Sequence, residues 1–214
     1  MRKQFATETM LILLLIGMLT LAFNVQPVKA GETIYIRADG SIDPPTTQKI
    51  TWEKYFGNPV LTTGATGSWD GVRVDQACVI YDEGIYKTWY NGYDVSRIRI
   101  GYAESSDGKS WTKYSGNPVL TPGPPGSWDD TAVGCGRVLF NGTLYQMWYE
   151  GADSYWRWRM GYATSSDGIS WTKYAGNPVL DVGPSGSWDE IAIENPMVIY
   201  DGSLYRMWYQ GVNS

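Results

Sequence analysis

Trp111-Thr112-Lys113-Tyr114-Ser115-Gly116-Asn117-Pro118-Val119-Leu120 decides the fold, because the chain writes this phrase three times. W-x-K-Y-x-G-N-P-V-L opens at Trp52, Trp111 and Trp171, with spacings of 59 and 60 residues. Two further landmarks keep the same phase. G-S-W-D surrounds Trp69, Trp128 and Trp188, and W-Y-x-G begins at Trp89, Trp148 and Trp208. Between Ile100–Leu120 and Met160–Leu180, 17 of 21 positions are identical. Self-similarity at a fixed period marks an architecture in which one supersecondary unit stacks on the next.

Each unit parses into strands. Cys78-Val79-Ile80-Tyr81 is a short apolar run rich in β-formers, and Asp82-Glu83-Gly84 turns it. Ile85 to Tyr90 alternates until Asn91-Gly92 breaks the pattern. In the next copies the turn reads Asn141-Gly142 and then Asp201-Gly202, both strong hairpin signals. A third strand is expected at Ile98–Ala103 and again at Arg159–Ala163. Ser-Ser-Asp-Gly (Ser105–Gly108, Ser165–Gly168) then leads to a fourth at Trp111–Tyr114 and Trp171–Tyr174. No amphipathic helix is legible beyond the N-terminal apolar run. Four strands per radial repeat predict an all-β fold, a β-propeller of four-stranded blades. The repeats fall near residues 52–110, 111–170 and 171–214, about two and a half blades.

Residues 52–55 match a fourth strand but precede the first full blade, as in a propeller closed by its N-terminal strand. The third copy stops after its second strand. A truncated sequence is the expectation, with self-association of an incomplete ring as the alternative.

The N-terminus reads as an export signal over residues 1–30. Arg2 and Lys3 precede the apolar run Met10–Phe23, and Val28-Lys29-Ala30 offers small residues before Gly31. Residues 31–50 read as a lead-in linker. A secreted or cell-surface protein is therefore expected, with no membrane contact beyond the signal. Cleavage would leave 14 basic and 21 acidic residues, a net charge of −7. That balance argues against nucleic-acid and anionic-membrane partners, which need basic patches. The chain has no histidine, which excludes His-based triads and imidazole metal sites. No nucleotide-binding glycine-rich loop and no zinc set is present, so no cofactor or metal is expected. Eleven Trp and 16 Tyr against 4 Phe suit sugar faces and half-buried strands equally. Cys78 and Cys135 fall on innermost strands of adjacent blades. Two buried free thiols is the preferred reading, and a cross-blade disulfide stays open on condition that the backbone brings them close.

Ser-x-Asp-Gly-x-Ser-Trp resembles a shortened Asp-box of sialidase-type propellers, and its role is read as closing a turn. With the blades placed, residues 50–214 resemble the five-bladed superfamily of arabinanases, β-xylosidases, invertases, levansucrases and mannoside phosphorylases. The resemblance rests on blade length and on Val-Asp-Gln-Ala-Cys-Val-Ile-Tyr-Asp (74–82) and Ile-Glu-Asn-Pro-Met-Val-Ile-Tyr-Asp (193–201). It implies an Asp at the start of the first innermost strand, matched by Asp75, and a Glu acid in a later blade, matched by Glu194. Gly134 stands where the second blade should supply an Asp.

Residues that recur in every copy are scaffold first, and residues that break the repeat are where blades differ in function. The varied columns are Asp75, Gly134, Glu194 and Asn91, Glu150, Gln210, flanked by Arg73 and by Gln76, Cys135, Asn195. Hairpin topology puts the start of strand one and the end of strand two at the same face. Asp75, Glu150 and Glu194 are therefore expected around one mouth, with Glu150 replacing the carboxylate missing at Gly134. Arg73, Asn91, Asn195 and Gln210 would line it, and Trp156 and Trp158 would add aromatic surface. The expected chemistry is glycoside hydrolysis by paired carboxylates, Asp75 as base or nucleophile and Glu194 as acid. A non-catalytic glycan-binding or structural surface module is the alternative. Carbohydrate is the expected partner of the hydrolase and of the glycan-binding module.

Overall fold

The computed structural model describes residues 35–36, 42–43 and 52–214. The expected signal peptide lies outside the described residues, as does most of the lead-in linker. The described part of Met1–Lys54 contains β1 (Tyr35–Ile36) and β2 (Ile42–Asp43), paired antiparallel. Residues 52–54, expected to begin a fourth strand, carry no strand structure.

Tyr55–Ser214 forms the second unit, and its strands are all antiparallel. Blade 1 is β3 (Arg73–Asp82), β4 (Ile85–Tyr93), β5 (Ile98–Ser105) and β6 (Thr112–Lys113), in sequential order. Blade 2 repeats this with β7 (Ala132–Phe140), β8 (Tyr145–Ala152), β9 (Trp158–Ser165) and β10 (Thr172–Lys173). A hairpin of β11 (Ala192–Tyr200) and β12 (Tyr205–Val212) begins the third. This is the all-β, partial set of propeller blades that the repeat predicts. Among the described residues no helix is long and apolar enough to cross a membrane.

The innermost strands are longer than the apolar run at Cys78–Tyr81 suggests, because each carries a bulge. The register shifts between Asp75 and Cys78, between Cys135 and Arg137, and between Glu194 and Met197. A bulge adds one residue, bends the strand and lets pairing continue beyond the hydrophobic stretch. The first turn is a two-residue loop with Glu83 and Gly84 both at positive φ, 50° and 83°. The corresponding loops at 141–144 and 201–204 are longer than the Asn-Gly and Asp-Gly pairs suggest. There Asn141 Oδ1 accepts from the N–H groups of Thr143 and Leu144 at 3.0 and 2.8 Å, and Asp201 does the same for Ser203 and Leu204. The side chain caps a four-residue loop in place of a tight primed turn.

The repeated phrases interlock. Asp70, from the first G-S-W-D, is 3% exposed and receives Lys113 Nζ at 2.5 Å and the Tyr90 hydroxyl at 3.4 Å. Asp129 repeats the arrangement with Lys173 at 2.6 Å and Tyr149 at 3.2 Å. Burial and the neighbouring carboxylate push both tyrosine pKa values well up, so the hydroxyls stay donors. Asn117, in the loop after β6, accepts from Tyr102 N and donates to Tyr102 O and Tyr90 OH, tying that loop to β5 and β4. The W-Y-x-G glycines leave room for the G-S-W-D tryptophans: a Cβ on Gly151 would stand 2.4 Å from Trp128. The Ser-x-Asp-Gly turn is structural too, since Asp107 Oδ1 accepts from Lys109 N and Ser110 N at 2.8 and 2.7 Å.

Blade 1 is fastened to blade 2 by Trp89. Its ring is fully buried, meets Tyr102, Tyr145 and Trp171, and its Nε1–H donates to the Gly168 carbonyl at 2.8 Å. Trp89→Ala is expected to cost about 3–5 kcal/mol through the cavity it leaves. Trp89→Phe keeps a ring and loses the donor, for about 1–2 kcal/mol. Urea unfolding of both variants against the parent chain checks the order and the gap.

Candidate functional site

The varied columns meet as cross-strand pairs. Asp75 pairs with Asn91, Gly134 with Glu150, and Glu194 with Gln210. The first and third pairs sit directly before the bulge of their innermost strands, and in blade 2 the Cys135–Tyr149 pair stands between. The bulge residues Gln76 and Asn195 take positive φ, 46° and 53°, uncommon for residues with a Cβ. This turns their side chains toward each other across the blades. Gln76 Nε2 donates to Asn195 Oδ1 at 2.9 Å, and Asn91 Nδ2 donates to Gln76 Oε1 at 2.6 Å. Asn195 Nδ2 donates to Gln210 Oε1 at 3.1 Å, and Cys135 N–H donates to Asn91 Oδ1 at 2.7 Å. One amide network therefore ties all three blades at the strand starts.

Glu150 lies within this network and is 3% exposed. Its Oε1 accepts from the backbone N–H of Asn195. Its Oε2 lies 3.3 Å from the position a Cβ on Gly134 would take. The side chain from β8 thus fills the space that the glycine on β7 leaves open. Burial pushes the Glu150 carboxyl up to about 7. The Asn195 N–H and the Gln76 amide work against that rise, while the charges of Glu194 and Asp75 add to it.

The other two carboxylates are more open. Asp75 is ion-paired with Arg73 at 2.6 Å, and Arg73 also lies over the Tyr93 ring. Glu194 is half-buried and pairs in register with the exposed Gln210. The aromatic loop behaves differently from the expectation of two rings at the mouth. Trp158 packs partly buried against the small cluster of Ile98, Ala132 and Ala152. Trp156, at positive φ and 49% exposed, lies 6.1 Å from the Trp158 ring. Tyr155 and Arg157 instead line a cleft of about 410 Å³ on blade 2, with Trp128, Asp153, Arg159 and Asp181. Arg159 holds Asp153 at 3.2 Å and Asp181 at 2.7 Å. The repeat pattern gave no warning of this cleft, because Arg99 and Asp94 occupy similar positions in blade 1. Gln76 was visible only as a neighbour of the varied column. Its bonding role depends on a bulge that strand alternation does not reveal. Among the described residues no group of three or more Cys, Asp or Glu is arranged to hold a metal ion.

The blades have the fold of solved glycoside hydrolases. The chain is similar to a solved glycoside hydrolase at TM-score 0.60 and 24% identity, covering 72% of this chain and 47% of that one. BT0996, solved as an RGII complex, superposes at TM-score 0.58 and 25% identity, with 72% and 47% covered. Zg3597, a family 117 glycoside hydrolase from the marine bacterium Zobellia galactanivorans, superposes at 0.57 and 17% identity, covering 70% and 51%. Among curated proteins, an uncharacterized protein of Mycobacterium tuberculosis is 28% identical over 132 residues, covering 58% of this chain and 43% of the relative. The chain spans about half the length of the proteins it matches. No family model matches it.

The raised Glu150 pKa has a defined sign for stability. In the unfolded chain the group returns toward its ordinary value near 4.5. The folded chain therefore binds the extra proton between those values. Its contribution is fully present below pH 4.5 and is lost as pH rises through about 7. Glu150→Gln keeps the acceptor for Asn195 N–H and removes the titration. Above pH 7 the variant is expected to be more stable than the parent by about 3 kcal/mol, and the difference should vanish in acid. Denaturant unfolding across that pH range measures it.

Proposed function

We propose that this chain is the carbohydrate-active part of an exported, glycoside hydrolase-like propeller. The observation that carries the proposal is the register, which puts one acidic residue in each of three equivalent cross-strand pairs, Asp75 with Asn91, Glu150 with Gly134 and Glu194 with Gln210, with Glu150 buried among them. Glycoside hydrolysis needs carboxyl groups in different protonation states within one site. In this reading Asp75, oriented by Arg73, acts as base or nucleophile at the anomeric carbon. Glu194 protonates the leaving oxygen. Glu150, too buried to reach a sugar directly, keeps the second blade's carboxyl neutral and spares Asp75 and Glu194 a third charge. Asn195 and Gln210 are exposed and offer amide partners for sugar hydroxyls, while Asn91 is buried with its amide bonded to Gln76 and Cys135 and supports them from beneath, and the half-exposed Trp156 offers a face for stacking. The likeness to glycoside hydrolases in fold supports this substrate class and leaves the sugar and linkage to experiment.

The test is reducing-sugar release from arabinan, xylan and mannan. Asp75→Asn and Glu194→Gln are each expected to lower release by about 10²–10⁴-fold with unchanged thermal unfolding. Glu150→Gln is expected to retain turnover in acid and to remove an inflection near pH 7 from the rate profile. Release that survives Asp75→Asn unchanged overturns its assignment. Retained glycan binding with no release makes the chain a non-catalytic module.

A further inference from the structure

The cleft of about 410 Å³ on blade 2 takes no part in the carboxyl chemistry. Its walls come from the loop before β7, the loop between β8 and β9, and the segment after β10. Glu150 stands three residues before Asp153, the first residue of the β8–β9 loop. The cleft therefore lies at the end of blade 2 that carries Glu150.

The repeat is broken on the rim of this cleft. β8 ends 59 residues after β4, whereas β9 begins 60 residues after β5. The extra residue falls in Asp153–Arg157, which has five residues where blade 1 has four, Asp94–Arg97. The ion pair at the base is common to both blades, Arg159 with Asp153 and Arg99 with Asp94. Blade 2 adds Tyr155 and Trp156 to a loop that has no aromatic residue in blade 1. It also has Asp181 where blade 1 has Thr121. In repeat architectures an insertion in one repeat maps to a loop, often on the binding face.

The added groups are held in place and remain open to a ligand. Tyr155 is 79% exposed, its N–H donates to Asp153 Oδ1 at 2.9 Å, and the Arg157 guanidinium lies 5.3 Å from its ring. Asp181 Oδ1 accepts from Arg159 Nε at 2.7 Å and from Val182 N–H at 2.8 Å. Asp181 Oδ2 has no hydrogen-bond partner among the described residues, and the side chain is 63% exposed. Arg159 itself is buried, so a fixed cation anchors an open carboxylate. An aromatic face beside oriented polar groups suits a sugar, whose ring presents C–H groups on its faces and hydroxyls at its edge. The volume falls in the range of ligand sites, about 300–1,000 Å³. Asp130, Asp153 and Asp181 against Arg157 and Arg159 give the lining a formal charge of −1, and both arginines are already ion-paired. That balance opposes an anionic ligand.

We infer that the cleft is a second, non-catalytic binding site for a neutral glycan, with Tyr155 stacked on a sugar ring and Asp181 and Arg157 bonded to its hydroxyls. The carbohydrate class rests on the function proposed above, whereas the site itself needs neither Asp75 nor Glu194.

The test is affinity electrophoresis of the full chain in native gels that contain soluble arabinan, xylan or mannan, with polygalacturonate as the anionic control. The wild type should be retarded by at least one neutral polymer and not by polygalacturonate. Tyr155→Ala and Asp181→Thr should each weaken the apparent Kd about tenfold, with unchanged thermal unfolding. Tyr155→Phe keeps the ring and should bind as the parent does, as should Asp75→Asn. Unchanged retardation in both Tyr155→Ala and Asp181→Thr overturns the site, and so does sugar release from a polymer that never retards the chain; both leave the carboxyl assignments standing. Retardation by polygalacturonate alone overturns the neutral ligand. Neither retardation nor release with any neutral polymer overturns the carbohydrate reading and this site with it.

Discussion

The buried aspartate of each G-S-W-D phrase is the constraint on which the blades depend. A carboxylate that is 3% exposed is costly unless every oxygen is satisfied. Asp70 meets this through Ser68, Tyr90 and Lys113, which come from the loop before the blade, its second strand and its fourth strand. Satisfying one charge thus requires the whole blade to be assembled. The lysine of W-x-K-Y and the tyrosine of W-Y-x-G have fixed partners for the same reason. The three phrases must keep phase, since a slip in any one would leave a buried charge unpaired.

That rigid scaffold lets the strand starts vary. The bulge in each innermost strand sits within one residue of the same repeat position and turns a side chain toward the neighbouring blades. Gln76 and Asn195 accept a disfavoured backbone conformation there, and their amide–amide bonds offset it. Cysteine stands at the corresponding place in blade 2, where its backbone N–H, donated to Asn91, replaces a side-chain contact.

The all-β class and the order of strands within a blade were legible because G-S-W-D, W-Y-x-G and W-x-K-Y recur with one period. The limits of the innermost strands were not. Cys78–Tyr81 reads as a four-residue strand, whereas β3 runs from Arg73 to Asp82 through a bulge that breaks alternation. In the site, the placing of Asp75, Glu150 and Glu194 on equivalent cross-strand pairs followed from hairpin topology and from the break in the repeat. The depth of Glu150 did not, because burial depends on how Asn195 of the third hairpin closes over it. The place of Trp158 was illegible for a related reason. Its ring packs on Ile98 and Ala132, and no pattern within its own loop specifies that contact.

The register explains why a glycine at 134 is compatible with a carboxyl cluster. The three cross-strand pairs are Asp75 with Asn91, Gly134 with Glu150, and Glu194 with Gln210, and each holds one carboxyl. Directly opposed residues in an antiparallel pair have Cβ atoms about 4.5–5.5 Å apart, so two carboxylates in one pair would repel. Moving the acid from the first strand to the second keeps the number of carboxyl groups per blade. It also changes the environment, because Glu150 near the end of β8 is buried, whereas Asp75 is exposed and Glu194 only half-buried. An Asp at 134 would add a second acid beside Glu150, where Oε2 already lies 3.3 Å from the place its Cβ would take. The glycine is therefore the counterpart of Glu150: the absence of a side chain on one strand makes room for the buried, proton-holding carboxyl on the other.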